Sequence, residues 1–92
     1  ILRVTSPSPK SCYKFLDKAN NLLNDKKNIY VIGPLPSIPL KVKGNTRNHL
    51  MIKSDTRTYL NRVLKYLTYE IQTWPETKRV KWTYDIDPYD MS

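Results

Sequence analysis

The stretch Ile29-Tyr30-Val31-Ile32-Gly33-Pro34-Leu35-Pro36-Ser37-Ile38-Pro39 decides the fold more than any other part of the sequence. Its first four residues favour a strand, and the glycine-proline pair after them predicts the end of that strand. The two later prolines hold the backbone extended, so we expect a rigid loop that directs the next segment. Leu40-Lys41-Val42-Lys43 then alternates apolar and basic residues up to the turn signal Gly44-Asn45.

Two helices and three further strands are predicted around this stretch. Residues 2–5 alternate as a first strand, and Ser8-Pro9 predicts the cap and first turn of a helix. The apolar face of that helix comprises Cys12, Phe15, Leu16, Ala19, Leu22 and Leu23. A third strand is expected from Arg47 to Lys53, with Leu50 and Ile52 on its apolar face.

The second helix is predicted to begin after a cap at Ser54 or Asp55 and to end at Trp74-Pro75. Its apolar positions are Tyr59 or Leu60, Val63, Leu64, Leu67 and Ile71. The last strand is the clearest, because Val80, Trp82, Tyr84 and Ile86 alternate with polar residues.

The predicted element order is therefore βαββαβ. Right-handed crossovers place both helices on one face of a four-stranded antiparallel sheet. We thus predict an α+β fold, the ferredoxin-like sandwich.

The segment Asp85-Ile86-Asp87-Pro88 closes the predicted last strand. Strand periodicity puts its two carboxylates on one face, and the proline ends the strand. Two carboxylates alone make a poor cation site, so we predict no metal site. We favour a structural role, in which they accept hydrogen bonds from loop backbone or pair with Arg47 or Arg79.

Size and charge limit the possible functions. Ninety-two residues suffice for a single domain, 1–92, with one core. The chain begins without methionine, so we expect a fragment of a longer protein. It has no apolar run near the ~20 residues of a membrane span, and we expect a cytoplasmic protein without a membrane partner. The single cysteine, Cys12, excludes an internal disulfide and a cysteine-based zinc site.

Sixteen Lys and Arg against eight Asp and Glu give a net charge of +8. That excess favours polyanions, namely nucleic acid, an anionic membrane or an acidic peptide. A lysine-rich surface without a specific partner is the alternative.

Catalysis is not indicated by the residues present. Two glycines are too few for a P-loop or a dinucleotide fingerprint. The sole histidine, His49, has no partner residues spaced for a catalytic triad. We therefore predict no catalytic residue and no cofactor in this chain.

The predicted basic hairpin is the strongest candidate for binding. Lys41, Lys43 and Arg47 flank the Gly44 turn, and Lys53 and Arg57 follow it. Basic residues among neutral hydrogen-bonding groups are typical of phosphate contacts rather than base recognition. The third strand has no aromatic residues for RNA stacking, and Trp82 and Tyr84 are predicted core residues.

The joint spacing of these motifs resembles the C-terminal domain of the PriA family of primosomal DNA helicases. The matching residues are Gly33, Pro34, Pro36, Gly44, Arg47, Leu50-Met51-Ile52-Lys53, Val80-Lys81-Trp82, Asp85, Asp87 and Pro88. Thr46 departs from the pattern, since the family usually has an aromatic residue before the arginine.

The resemblance implies an accessory domain of a replication-restart helicase. The ATP-dependent helicase lobes and the zinc-binding insertion, with their ATP, magnesium and zinc, would lie outside this chain. The implied partners are forked or branched DNA, the helicase lobes, the single-strand-binding protein and other primosome proteins. Lys41, Lys43, Arg47, Lys53 and Arg57 would contact phosphates, and the glycine, proline and aspartate positions of the motif would be structural.

Two other classes share the predicted topology. One is a ribosomal-type RNA-binding protein, which a basic hairpin would serve equally well. The other is an acylphosphatase-like hydrolase, whose phosphate loop needs an arginine and glycines. The corresponding Ser6-Pro7-Ser8-Pro9 has neither.

Overall fold

A four-stranded antiparallel sheet carries two helices in the computed structural model, which describes residues 1–86. The strands stand in the order β2-β3-β1-β4. The chain order is β1 (Leu2–Ser6), α1 (Pro9–Leu23), β2 (Ile29–Val42), β3 (Asn45–Ser54), α2 (Arg57–Ile71), a 3-10 helix (Pro75–Arg79) and β4 (Lys81–Tyr84). This arrangement confirms the predicted α+β, ferredoxin-like fold.

The core lies between the helices and one face of the sheet. Both predicted helix faces point into it, although Leu22, Tyr59, Leu60 and Leu64 are only partly buried. Phe15 has the largest of the fully buried side chains. Its ring meets the Trp74 ring edge-on at a centroid distance of 5.7 Å. The buried apolar residues are Leu2, Val4, Cys12, Phe15, Leu16, Ala19, Leu23, Ile29, Leu50, Ile52, Val63, Leu67, Ile71 and Trp74.

Strand β2 differs from the prediction, because it continues through the proline-rich segment that we expected to be a loop. Leu35 pairs with His49 and Pro36 with Asn48 of β3, after a register shift that follows Ile32. The prolines are tolerated because β2 is an edge strand, whose outward positions need no amide donor. The predicted strand end at Gly33 is therefore a bulge within a longer strand.

Both glycines adopt positive φ angles that suit their places. Gly33 has φ 128° at the bulge, where a Cβ atom would lie 3.0 Å from the His49 carbonyl oxygen. Lys43 (φ 51°) and Gly44 (φ 83°) form the two-residue turn between β2 and β3. Two consecutive positive φ angles match the right-handed twist of a tight hairpin.

The helix caps are confirmed for α1 and corrected for α2. The Ser8 hydroxyl accepts a hydrogen bond from the Ser11 amide at 3.3 Å. In α2 the cap is Thr56, whose hydroxyl accepts from the Tyr59 amide at 3.2 Å, rather than Ser54 or Asp55. Ser54 is instead the last residue of β3, because strand pairing with Ile29 extends that far.

Strand β4 is shorter than predicted but turns its aromatic residues toward the helices as expected. Trp82 packs near Phe15 at a centroid distance of 6.4 Å, and the Tyr84 hydroxyl donates to the Leu64 carbonyl at 3.3 Å. Ile86 lies beyond the strand and is exposed, contrary to its predicted place on the apolar face. Asp87 and Pro88 lie outside the described residues.

Neither helix within residues 1–86 combines the length and the apolar character that crossing a membrane requires. Each of them has 15 residues.

Replacing Phe15 by Ala should lower the free energy of unfolding by about 3–5 kcal/mol, because it leaves a cavity under Trp74 and Trp82. Urea unfolding followed by tryptophan fluorescence measures the loss. Tyr13→Ala is the matched control on the same helix, since that side chain is half exposed, and it should change stability by no more than about 0.5 kcal/mol. Equal losses in both variants would contradict the assigned core.

Candidate nucleic-acid interface

On β1, β3 and β4, the face of the sheet that points away from the helices carries mainly the polar half of the strand alternation. On β1 the buried residues Leu2 and Val4 alternate with Arg3 and Thr5, which are partly exposed. The same alternation on β3 and β4 gives this face a set of basic and polar side chains. We call it the open face, and its strand residues include Arg3, Thr5, Arg47, His49, Met51, Lys53, Lys81 and Thr83.

The centre of the open face is a row of three residues on three adjacent strands. Thr5 pairs with Arg47 of β3 on one side and with Lys81 of β4 on the other. Directly opposed residues on neighbouring strands have Cβ atoms about 5 Å apart, so Arg47 and Lys81 stand about 10 Å apart across Thr5. This spacing leaves room for one phosphate group between two cations.

A groove of about 300 Å³ follows this row. We call it the basic groove, and it is lined by Arg3, Val4, Thr5, Ser37, Arg47, Lys81, Trp82 and Thr83. Within residues 1–86 the ion pairs are Arg3–Asp85 and Lys18–Glu76, so no described carboxylate neutralises Arg47 or Lys81. The groove therefore presents positive charge together with hydroxyl donors to solvent.

Neighbouring groups hold two arginines of the groove in place. The Arg3 guanidinium donates to the Asp85 carboxylate at 2.9 Å and 3.2 Å, and both side chains are partly exposed. The Arg47 guanidinium donates to the Pro39 carbonyl at 3.3 Å. The proline segment of β2 thus positions Arg47 over the sheet.

His49 borders the basic groove through a hydrogen bond of 3.0 Å between its Nδ1 and the Ser37 hydroxyl. Its cross-strand partner on β1 is Arg3. Partial burial lowers the pKa of His49 below the ordinary 6.5, and the charges of Arg3 and the terminal amino group lower it further. The same causes favour the neutral imidazole at pH 7.

The five predicted phosphate-binding residues do not form one patch. Lys41 and Lys43 are exposed at the hairpin tip, whereas Arg47 lies in the basic groove. Lys53 lies near the other end of β3, about 20 Å from Arg47 at the usual rise of ~3.3 Å per residue, and Arg57 begins α2 after that end. Their phosphate contacts stay a prediction. Lys41 pairs with Thr46, next to Arg47, whereas Lys53 lies at the far end of β3.

Sequence reasoning missed Arg3, Thr5 and Lys81 as candidates. The signal was present, since Arg3 and Thr5 alternate with apolar residues on β1, and Lys81 does so on β4. The alternation identifies the polar face of each strand, but the sheet order and register are needed to align them.

The predicted partners of Asp85 need correction. Its carboxylate pairs with Arg3 rather than with Arg47 or Arg79, because β4 lies beside β1 at the edge of the sheet. Arg47 is on β3, two strands away from β4. No three potential metal ligands of the His, Cys, Asp and Glu types cluster within residues 1–86.

The fold and this face define a small ferredoxin-like α+β domain with helices on one side of the sheet and a basic groove on the other. Residues 1–89 match the family described as primosomal protein N C-terminal domain, and the chain belongs to that family. It is similar to the replication restart protein PriA of Buchnera aphidicola subsp. Schizaphis graminum (strain Sg), with 34% identity over 65 residues. Those residues cover 71% of this chain and 9% of that relative, so the chain spans only a small part of its length.

The lowered pKa of His49 predicts a stability that falls as the pH falls. The unfolded chain binds the proton more readily than the folded chain, so lowering the pH through about 6.5 and below favours unfolding. Urea midpoints between pH 7.5 and 5.5 measure the trend. A His49→Gln variant that keeps the full dependence in this window would assign it to another group.

Proposed function

We propose that this chain is a DNA-binding accessory domain of a replication-restart helicase, which holds branched or forked DNA by phosphate contacts in the basic groove. The observation that carries the proposal is the row Arg47–Thr5–Lys81 across three adjacent strands. It places one cation on each side of the Thr5 hydroxyl. The family membership supplies the replication-restart context.

The groove chemistry favours backbone contacts over base recognition. Arginine, lysine and hydroxyl groups are the side chains that bind phosphates and set the register of a protein on nucleic acid. Among the described β4 residues, the aromatic Trp82 and Tyr84 pack against the core on the helix side, although Trp82 also borders the groove. Contacts of this kind carry no sequence information, which suits a protein that acts at forks of any sequence.

The same groove suits the phosphates of RNA, and RNA is therefore the second candidate ligand. A ribosomal-type domain of this topology would present the same row of cations. Structured RNA and forked DNA differ in backbone geometry, so a direct competition between them distinguishes the two functions.

The parent protein, in this proposal, is an ATP-dependent DNA helicase that directs primosome assembly. Its nucleotide, magnesium and zinc sites are expected outside this chain, and this domain contributes no catalytic residue. The helicase lobes are the expected docking partner within the same protein. The single-strand-binding protein and other primosome proteins are further expected partners.

Charge reversal in the groove tests the proposal. The double variant Arg47→Glu/Lys81→Glu should bind a labelled model fork about tenfold more weakly, because two surface ion pairs worth about 0.5–1 kcal/mol each are lost. The slope of log K against log salt should become less steep by about 1.8. Fluorescence anisotropy in a salt series measures both, with duplex, single strand and structured RNA as competitors.

Two further double variants complete the test, and the first of them is the matched control. Arg62→Glu/Lys65→Glu reverses one arginine and one lysine on exposed positions of α2, on the far side of the sheet. Lys41→Glu/Lys43→Glu tests the hairpin tip. Each variant reverses two charges, so each carries a net charge of +4 instead of +8. Equal losses in all three would mean that net charge alone binds DNA, and thermal melts confirm that each variant is folded.

A further inference from the structure

The imidazole of His49 has a position that the phosphate proposal does not use. It lies on the open face beside the basic groove, directly across from Arg3 and bonded to Ser37 at 3.0 Å. Arg47 lies two residues away on the same face of β3, about 7 Å along the strand. His49 is therefore a titratable group that lies beside two of the groove's cations on the same face of the sheet.

The groups that face His49 are mostly cationic. From β1 they are Arg3 and the terminal amino group, and from β3 they are Arg47 and Lys53. Strand β4 contributes Lys81 and the Asp85 carboxylate next to its end, and that carboxylate is engaged by Arg3. Strand β2 contributes the uncharged Ser37 hydroxyl. A proton on His49 thus adds a positive charge to a site that already repels it.

An anion in the groove would instead favour the protonation of His49. A phosphate beside Arg3 and Arg47 places negative charge near the imidazole, and an opposite charge within about 4–6 Å favours the protonated form. The protonated ring also gains a second donor for a charge-assisted hydrogen bond. Phosphate binding and protonation of His49 are then linked, and each strengthens the other.

We propose that His49 is a phosphate-binding residue of the basic groove, which takes up a proton when the phosphate backbone of a nucleic acid occupies that groove. The inference rests on the proposed function, because it requires the groove to bind phosphates. It adds a fourth cation to the site, present in the complex and absent from the free domain at neutral pH.

The sequence makes this inference directly measurable, since His49 is the only histidine of the chain. The ordinary pKa of histidine, about 6.5, lies within an accessible pH range, and replacing this one side chain assigns the proton. Isothermal titration calorimetry of fork binding between pH 5.5 and 7.5, in two buffers with different ionisation enthalpies, counts the protons taken up. The expected result is a net uptake of protons on binding that stays below one proton per domain.

Three results support or overturn the proposal. His49→Gln should abolish the uptake and the strengthening of fork binding between pH 7.5 and pH 5.5, because Gln retains a polar amide without a titrating charge. The Cε1 proton of His49, followed by NMR, should titrate at a higher pH in the complex than in the free chain. For the unaltered chain, the salt slope should be steeper by about 0.9 at pH 5.5 than at pH 7.5.

The two proposals fail in different ways. Fork binding without proton uptake, or an unchanged NMR titration, would overturn the role of His49 and leave the proposed function intact. If the unaltered chain binds neither fork nor RNA at either pH, both proposals are wrong. If the uptake persists in His49→Gln, the proton goes to another group and His49 is not the linked residue.

Discussion

The pairing of β1 with both β3 and β4 is the constraint on which the core and the groove both depend. This five-residue strand is central, and its two apolar side chains, Leu2 and Val4, are fully buried beneath the helices. The alternation that buries them forces Arg3 and Thr5 onto the opposite face. A slip of one residue in either pairing would bury the arginine and expose the leucine. The cost of that exchange fixes the register, and the register in turn aligns Arg47 and Lys81 on either side of Thr5.

The proline-rich segment of β2 supports this arrangement from the edge of the sheet. An edge strand has unpaired amides that invite association with other chains, and prolines remove some of those donors. The bulge at Gly33 brings the backbone close to His49, and beyond it the segment supplies the Ser37 hydroxyl and the Pro39 carbonyl. These two groups contact His49 and Arg47, both on the open face. The segment thus limits edge pairing and positions binding groups at the same time.

The sequence was enough to predict the element order, the fold class and most residues of the core, although Ile86 was placed there wrongly and Trp74 was not identified. Helical spacing identified Phe15 and its neighbours, and strand alternation identified Leu50, Ile52, Trp82 and Tyr84. Local rules gave the wrong result at Gly33-Pro34, because they treat this pair as a strand end and ignore the pairing available from β3. They also placed the α2 cap one or two residues early, where the end of β3 extends to Ser54.

The basic groove could be predicted less well, for a physical reason. Arg3 and Lys81 are 78 positions apart in the sequence. In the fold, Arg3 lies on the same strand as Thr5, and Lys81 pairs with Thr5 from the neighbouring strand. Composition and turns point to basic residues that are close in sequence, such as Lys41 and Lys43. A sheet instead brings together residues from strands that are distant in the chain, and their register depends on tertiary packing. The basic groove was therefore harder to predict than the basic hairpin. Each of its members appears in the sequence only as one polar residue in an alternating strand.

Like charges on the open face oppose folding and assist binding. Arg3, Arg47 and Lys81 repel one another across three strands, and that repulsion lowers the stability of the free domain. Asp85 relieves it at one edge, and the neutral form of His49 avoids adding to it. The apolar core on the other face, with Phe15 against Trp74 and Trp82, offsets the remaining cost. A phosphate backbone in the groove would remove the repulsion that the free domain carries, so the charges that weaken the free fold would be the ones that favour the complex.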